Sequence, residues 1–377
     1  KAKSVVSMMM LSFGAMGLVG VLWILYGFNM AAIGDGPTFL AGNPFSDFGL
    51  ANASNDTLVS ATFGATFAII TVALISGAIA DRAKFGSWMI FAGIWATVVY
   101  FPVAAWVWGG GWIMKLGETL GFDGVSVIDY AGGTAVHINA GAAALALALV
   151  LGKRVGFQKG IHKPHNVPLV MLGAAILWFG WFGFNAGAEG TAGLLGTPDS
   201  HVGLIIVNTL GATAAAIIGW VVVEKLKDGK STSVGAASGA VAGLVAITPS
   251  CANLAPGWAL LLGLIAGAVC ALAIELKWKL GYDDALDVVG VHLVGGLIGT
   301  LYLGFFATDT GLFLGGGVQQ LVVQFIAAVA VLIFSFVVAY VLGLVIEKTI
   351  GFRVKNEDEI AGIDTVVHGE EGYALVD

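Results

Sequence analysis

Ten apolar runs, most of them near 20 residues and separated by short polar segments, restrict this chain to a bilayer. They lie at about 5–32, 58–80, 85–110, 131–152, 166–188, 202–224, 233–250, 257–278, 285–307 and 317–347. A hydrocarbon core of about 30 Å takes roughly 20 apolar residues per helical crossing. Within it, backbone N–H and C=O groups must find partners inside the segment. With 58% hydrophobic and only 11% charged residues, a water-soluble domain of this size has nowhere to hide such surface. The short alternating strands of a membrane barrel are missing. The expected fold is therefore all-α: a polytopic membrane helix bundle of ten spans, with 1–347 as a single transmembrane domain and 348–377 as a tail.

Charge placement orients the bundle. With the start of the chain inside, the inner loops collect Lys1, Lys3, Arg82, Lys84, Lys153, Arg154, Lys159, Lys163, Lys225, Lys227, Lys230, Lys277, Lys279, Lys348, Arg353 and Lys355. Of the 17 lysines and arginines only Lys115 falls outside, as the positive-inside rule requires. This distribution needs an even number of spans and both ends cytoplasmic. It also supports the short run 233–250, whose loss would invert everything after it. The outer loops are acidic or neutral, with Asp35, Asp47 and Asp56 in the first. Trp106, Trp108 and Trp112 cluster where an interfacial aromatic belt belongs. Gly235, Gly239 and Gly243 make two overlapping GxxxG steps for close helix packing. Cys251 and Cys270 follow no metal or redox spacing and read as small apolar residues. The tail, with Lys355, Glu357, Asp358, Glu359, Asp364, His368, Glu370 and Glu371, reads equally as a partly disordered solvated end or as a regulatory one.

Two histidines stand inside apolar runs. One stretch reads Asp129-Tyr-Ala-Gly-Gly-Thr-Ala-Val-His137-Ile-Asn-Ala, the other Asp287-Val-Val-Gly-Val-His292-Leu-Val-Gly-Gly. An ionisable group at membrane depth costs a few kcal/mol or more and marks a functional site by default. His137 lies about 9 Å below the outer end of its span and His292 about 10 Å above the inner end of its own, at 1.5 Å per residue. Both approach the middle of the membrane from opposite sides, in segments that run in opposite directions as inverted repeats do. Two readings stay open on spacing alone. Two neutral imidazoles share one hydrogen bond, or each is a separately buried histidine bonded to backbone or hydroxyls. Two such histidines also permit axial haem ligation. Asp129, just before its helix, suits the cap of the helix start, and Asp287 reads as its counterpart. His162, His165, His201 and His368 lie outside the spans and read as solvated.

The run from Asp129 through His137 to Leu145 resembles the signature of the ammonium transporters of the Amt/Mep/Rh group, on the Amt branch. The likeness extends to Ala105-Trp-Val-Trp108-Gly-Gly-Gly, Lys163-Pro-His-Asn-Val-Pro, Gly180-Trp-Phe-Gly-Phe184-Asn-Ala-Gly and Asp287-Val-Val-Gly-Val-His292. The resemblance implies an eleven-helix protomer with an inverted five-plus-five repeat and a homotrimer with one pore per protomer. The chain starts where the family's second helix starts, so ten spans are expected here. The resemblance implies ammonium recruitment at an outer site by Trp108 and Phe67, with Phe67 and Phe184 as a stacked gate and His137 and His292 as pore histidines. Phe63, Trp181, Asn185 and Ala188 are implied near the mouth. Ala188 occupies the family's serine position, so the hydroxyl acceptor is missing, and either weaker recruitment or substitution by Asn185 or Glu189 is expected. The substrates implied are ammonium, ammonia and methylammonium, in the cell membrane, without cofactor, metal, enzymatic activity or nucleic acid. A PII-type signal protein is the implied cytoplasmic partner. An ammonium sensor acting through such a partner is the alternative.

Overall fold

The computed structural model describes residues 1–373 except 35, 38, 158–163 and 195. Asp35, Lys159, His162 and Lys163 of the sequence reading therefore lie outside the described residues. Among the described residues ten apolar helices follow one another: α1 (Ala2–Met30), α2 (Asn55–Ile79), α3 (Phe85–Val107), α4 (Gly133–Leu151), α5 (Val167–Thr191), α6 (Val202–Asp228), α7 (Ser233–Ile247), α8 (Pro256–Leu280), α9 (Val289–Phe306) and α10 (Gln319–Thr349). Nine of these are long and apolar enough to cross a membrane, and α7, with 15 residues, is not. At 1.5 Å per residue α7 rises only about 22 Å. Beyond it the backbone continues as turns buried in protein, where Thr248, Ser250, Cys251 and Leu254 have no exposed surface. These turns bond the chain ahead of α4: Tyr130 N–H donates to the Pro249 carbonyl (3.0 Å) and Ala131 N–H to that of Thr248 (3.2 Å). Irregular backbone at depth is tolerated only with such partners.

Small residues set the helix spacing. Along α6, Ala212 and Ala216 are fully buried, with glycines of two helices against them. A Cβ on Gly243 of α7 would stand 2.6 Å from the Ala216 Cβ. Cβ atoms on Gly263 and Gly267 of α8 would collide with the Ala212 and Ala216 carbonyls. The GxxxG run of α7 is thus a helix contact, and α8 carries a second one that the sequence reading passed over. Near the centre lies α4, buried on nearly every side, whereas α5 leaves most of its surface outward.

One face of the bundle gathers the inner loops. The Arg154 guanidinium donates to Asp283 (2.8 Å) and Asp81 (2.9 Å). The tail closes on the same face. Lys84 N–H bonds the Phe352 carbonyl (2.8 Å) and Val354 N–H that of Arg82 (2.9 Å). Arg353 pairs with Glu359 (2.8 Å), which also accepts from Val155 N–H (2.7 Å). Asp364 caps the start of α1 through the N–H groups of Val6 (3.1 Å) and Ser7 (2.7 Å). Both ends and the loops after α2, α4 and α8 therefore share one side, as an even number of crossings requires. The described part of the tail, with its short helix Asn356–Ala361, lies over this face.

Burial raises the Asp283 carboxyl's pKa, but Arg154 and Arg82 outweigh it and hold the group below the usual carboxylate range. Asp81 is likewise held low against burial, with the Arg154 guanidinium beside it. Removing one partner of a buried pair costs about 3–5 kcal/mol, so Arg154→Ala should lower the unfolding temperature in detergent clearly. Both carboxyls are depressed in the folded state. Their contribution is full above the ordinary carboxylate pKa and disappears as pH falls through the folded values. Thermal unfolding scanned downward from pH 7 should show acid loss of stability in the native chain, flattened in Arg154→Ala.

Candidate functional site: an aromatic and histidine column

Both histidines sit in a widened, π-helical turn at the start of their helices. Gly133–Ile138 carries His137 and Val289–Leu293 carries His292. Such turns break the regular ladder locally and recur at functional sites. The two segments obey one pattern. An aspartate stands eight residues ahead of each histidine, Asp129 and Asp284, and a glycine four residues after it, Gly141 and Gly296.

Each aspartate holds its turn in place. The Asp129 carboxylate accepts the N–H groups of Gly132 (3.0 Å), Gly133 (2.5 Å), Thr134 (3.0 Å) and Ala135 (2.9 Å). Burial pushes this carboxyl up to about 6, and the four N–H bonds oppose it. Asp284 takes the Val289 N–H (2.7 Å). The counterpart of Asp129 is therefore Asp284 and not Asp287, as the sequence reading had it. Asp287, at φ 62°, turns to the Lys277 ammonium (2.5 Å) instead. The eightfold spacing to the histidine was the sequence signal for Asp284.

Each glycine admits the opposite segment. A Cβ on Gly141 would stand 2.6 Å from the Leu293 backbone nitrogen, and one on Gly296 3.1 Å from the His137 Cβ. This approach brings the imidazoles face to face: Nδ1 of His137 and Nδ1 of His292 lie 3.2 Å apart, both rings buried. Of the two readings left open by spacing, the shared hydrogen bond is the observed one. A haem between these nitrogens has no room. The His137 Nε2 is buried without a partner. Trp181 lies parallel to the His137 ring (centroids 5.5 Å, 15°), and its indole N–H donates to the Thr248 hydroxyl (2.8 Å).

Toward the face opposite the charged loops the column continues in aromatic rings. Phe184 tilts against Trp181 (5.4 Å) and stacks on Phe67 at 4.1 Å and 16°. Phe67 in turn meets Phe63 (4.9 Å) and the edge of Trp108 (5.8 Å, 86°). The Trp108 indole N–H donates to the Asp129 carbonyl (2.7 Å), so one aspartate fixes both the helix start and the indole. An outer cavity of about 470 Å³ is lined by Trp108, Phe63, Phe67, Tyr130 and Ala188 among others. A second, of about 370 Å³, is lined by Phe184, Trp181 and His137 among others. The stacked phenylalanines stand between the two.

The residues expected near the mouth separate here. Phe63 and Ala188 line the outer cavity, whereas Trp181 lies below the stack. Asn185 is buried and donates to Thr209 (3.0 Å), away from the cavity. Glu189 is fully buried, accepting from the Tyr130 hydroxyl and from the His201 backbone N–H (3.1 Å). The sequence reading missed Tyr130, the residue beside Asp129. His201 is not merely solvated, since its ring nitrogen stands 3.7 Å from Glu189.

A bundle of this kind, with a ring-lined passage toward buried imidazoles, defines a polytopic helical membrane protein of the transporter class. The Ammonium Transporter Family profile matches residues 1–373. An ammonium transporter of Mycobacterium bovis is 49% identical over 99% of this chain and 84% of its own length. Among solved structures, one titled Sensor Amt Protein superposes with a TM-score of 0.86 at 28% identity, covering 97% of this chain and 91% of that one. Candida albicans Mep2 gives 0.81 at 30%, covering 91% and 78%. The chain belongs to the ammonium transporter family, whose members are transporters and channels and not enzymes.

Asp129→Ala leaves four N–H groups without their acceptor, each costing about 1–3 kcal/mol. The variant should not accumulate as folded protein in detergent chromatography, while Asp129→Asn, keeping one oxygen, should fold with a lower unfolding temperature. Gly141→Val drives a side chain into the Leu293 backbone and, by separating the segments, should abolish methylammonium uptake even where the protein reaches the membrane.

Proposed function

We propose that this chain recruits ammonium at the Trp108 and Phe67 mouth, removes its proton and conducts ammonia along His137 and His292. An unpaired ion costs tens of kcal/mol in an apolar interior by continuum estimates, whereas ammonia is neutral and small. An indole face attracts a cation by about 0.5–2 kcal/mol, enough to concentrate it above a closed ring stack. Below the stack, the 3.2 Å contact between the two Nδ1 atoms carries the reading. One ring donates and the other accepts, so their Nε2 atoms have opposite character, one a lone pair and one an N–H. Ammonia, itself donor and acceptor, can pass from one to the other. The unpartnered Nε2 of His137 is where a passing N–H or lone pair finds a partner. Potassium has neither a proton to give up nor an N–H to donate.

The loop charges favour a cell-membrane orientation with the tail cytoplasmic. The resemblance carried by Asp129 to Leu145 favours a homotrimer. A second reading, a sensor that signals through a cytoplasmic PII-type protein, is supported by the likeness to a chain titled as a sensor and by the tail docked across the inner loops.

Saturable uptake of labelled methylammonium into vesicles tests the proposal. His137→Ala and Trp108→Leu should each lower the initial rate about tenfold or more, equal to about 1.4 kcal/mol or more. Native uptake in both variants would overturn it. A current on ammonium addition distinguishes net ammonium transport from ammonia conduction. Uptake with and without the PII-type protein separates transporter from sensor.

A further inference from the structure

At the position where the family resemblance implies a serine hydroxyl, this chain has Ala188, which carries none; the hydroxyls of the cavity wall belong to Ser60, Tyr100, Tyr130 and Thr191, and Tyr130 is the one that donates to a carboxylate. Tyr130, half-buried, lines the same cavity and directly follows Asp129 in the chain. Its hydroxyl donates to Glu189, the residue next to Ala188. We infer that Tyr130, polarised by Glu189, supplies the cation-accepting oxygen of the mouth and sets the affinity for ammonium; this rests on the proposed recruitment at Trp108 and Phe67.

The chemistry follows from the donor count. A phenol has one proton and two lone pairs. Giving the proton to Glu189 leaves the oxygen with acceptor capacity only, and donation to a carboxylate strengthens that capacity. Ammonium brings four N–H donors. Trp108 gives it a π face but no acceptor, because an indole N–H only donates, here to the Asp129 carbonyl. Glu189 is placed for this purpose and not for direct contact. It has no exposed surface and does not line the cavity. No lysine or arginine among the described residues pairs with it, and its remaining partners are the His201 backbone N–H and, at 3.7 Å, the half-exposed His201 ring. A carboxylate without a fixed cation one layer behind the wall makes the cavity electronegative. Glu189 is thus a positioning residue that acts through Tyr130.

Methylammonium uptake by the full chain in proteoliposomes, at one fixed pH, tests this. Tyr130→Phe should raise KM by about tenfold to a hundredfold, the loss of one hydrogen bond to a charged group, with Vmax changed far less. Glu189→Gln, which keeps an acceptor oxygen but not the charge, should raise KM by a smaller factor. Ala188→Ser in the Tyr130→Phe background should return KM toward the native value, because the hydroxyl reappears on the same cavity. A purely structural tyrosine would lower Vmax or the amount of protein and would not be rescued from position 188. Unchanged KM in Tyr130→Phe, or no rescue by Ala188→Ser, overturns the inference. Should Tyr130→Phe fail to accumulate, Glu189→Gln decides by the same KM criterion. Trp108→Leu run in parallel separates the levels: if it leaves uptake intact, the recruitment reading itself fails, and if it weakens uptake while Tyr130→Phe does not, only the present inference fails.

Discussion

Two imidazoles 3.2 Å apart inside an apolar bundle are the constraint around which the rest is arranged. A buried polar group without a partner costs on the order of 1–3 kcal/mol. Each ring removes part of that cost for the other without any charge. The contact needs two helix starts to meet at one depth with almost no side chain between them. Gly141 and Gly296 provide the clearance, and the π turns aim both rings inward. Asp129 and Asp284 then hold the widened turns by taking N–H groups that the helices leave free.

The two faces of the bundle are built on different physics. On the face of the inner loops, charge is abundant and is neutralised by pairing: Arg154 with Asp283 and Asp81, Arg353 with Glu359. Carboxylates also cap backbone there, as Asp364 does for α1. This ties the tail to the start of α1 and to the loops after α2 and α4. On the opposite face the described rings of Phe63, Phe67, Trp108 and Phe184 contact one another, and of the buried carboxylates near them Asp129 is taken up by backbone N–H groups while Glu189 has no lysine or arginine paired with it among the described residues. Stacked neutral rings there separate the outer cavity from the inner one.

Much of this was legible in the residues. The ten helices fall within a few residues of the apolar runs, because run length against membrane thickness is a local property. Their even number follows from the loop charges, which depend on sequence order alone. The roles implied for Trp108, Phe67 and Phe184 came from motif resemblance, and the structure puts the three rings in one contact chain. Asp287, like Asp129, stands shortly before its histidine, and from sequence alone it reads as the counterpart. The spacing of eight residues, equal in both repeats, identifies Asp284, and only the φ angle and the Lys277 contact reveal what Asp287 does. Asn185 was assigned near the mouth from its neighbours in sequence, but helical rotation turns it toward Thr209.

By itself, the order of residues determined a helical membrane protein, its crossings, its charged side and the two intramembrane histidines, since hydrophobic length and loop charge act along the chain. Tertiary structure decided what depends on distance between segments. It joined rings 155 positions apart, set Tyr130 against Glu189 across 59 positions and folded the polar tail onto the amino terminus. Those contacts arise where glycines and alanines let backbones close to within a side chain's width, and no local pattern states which surfaces will meet.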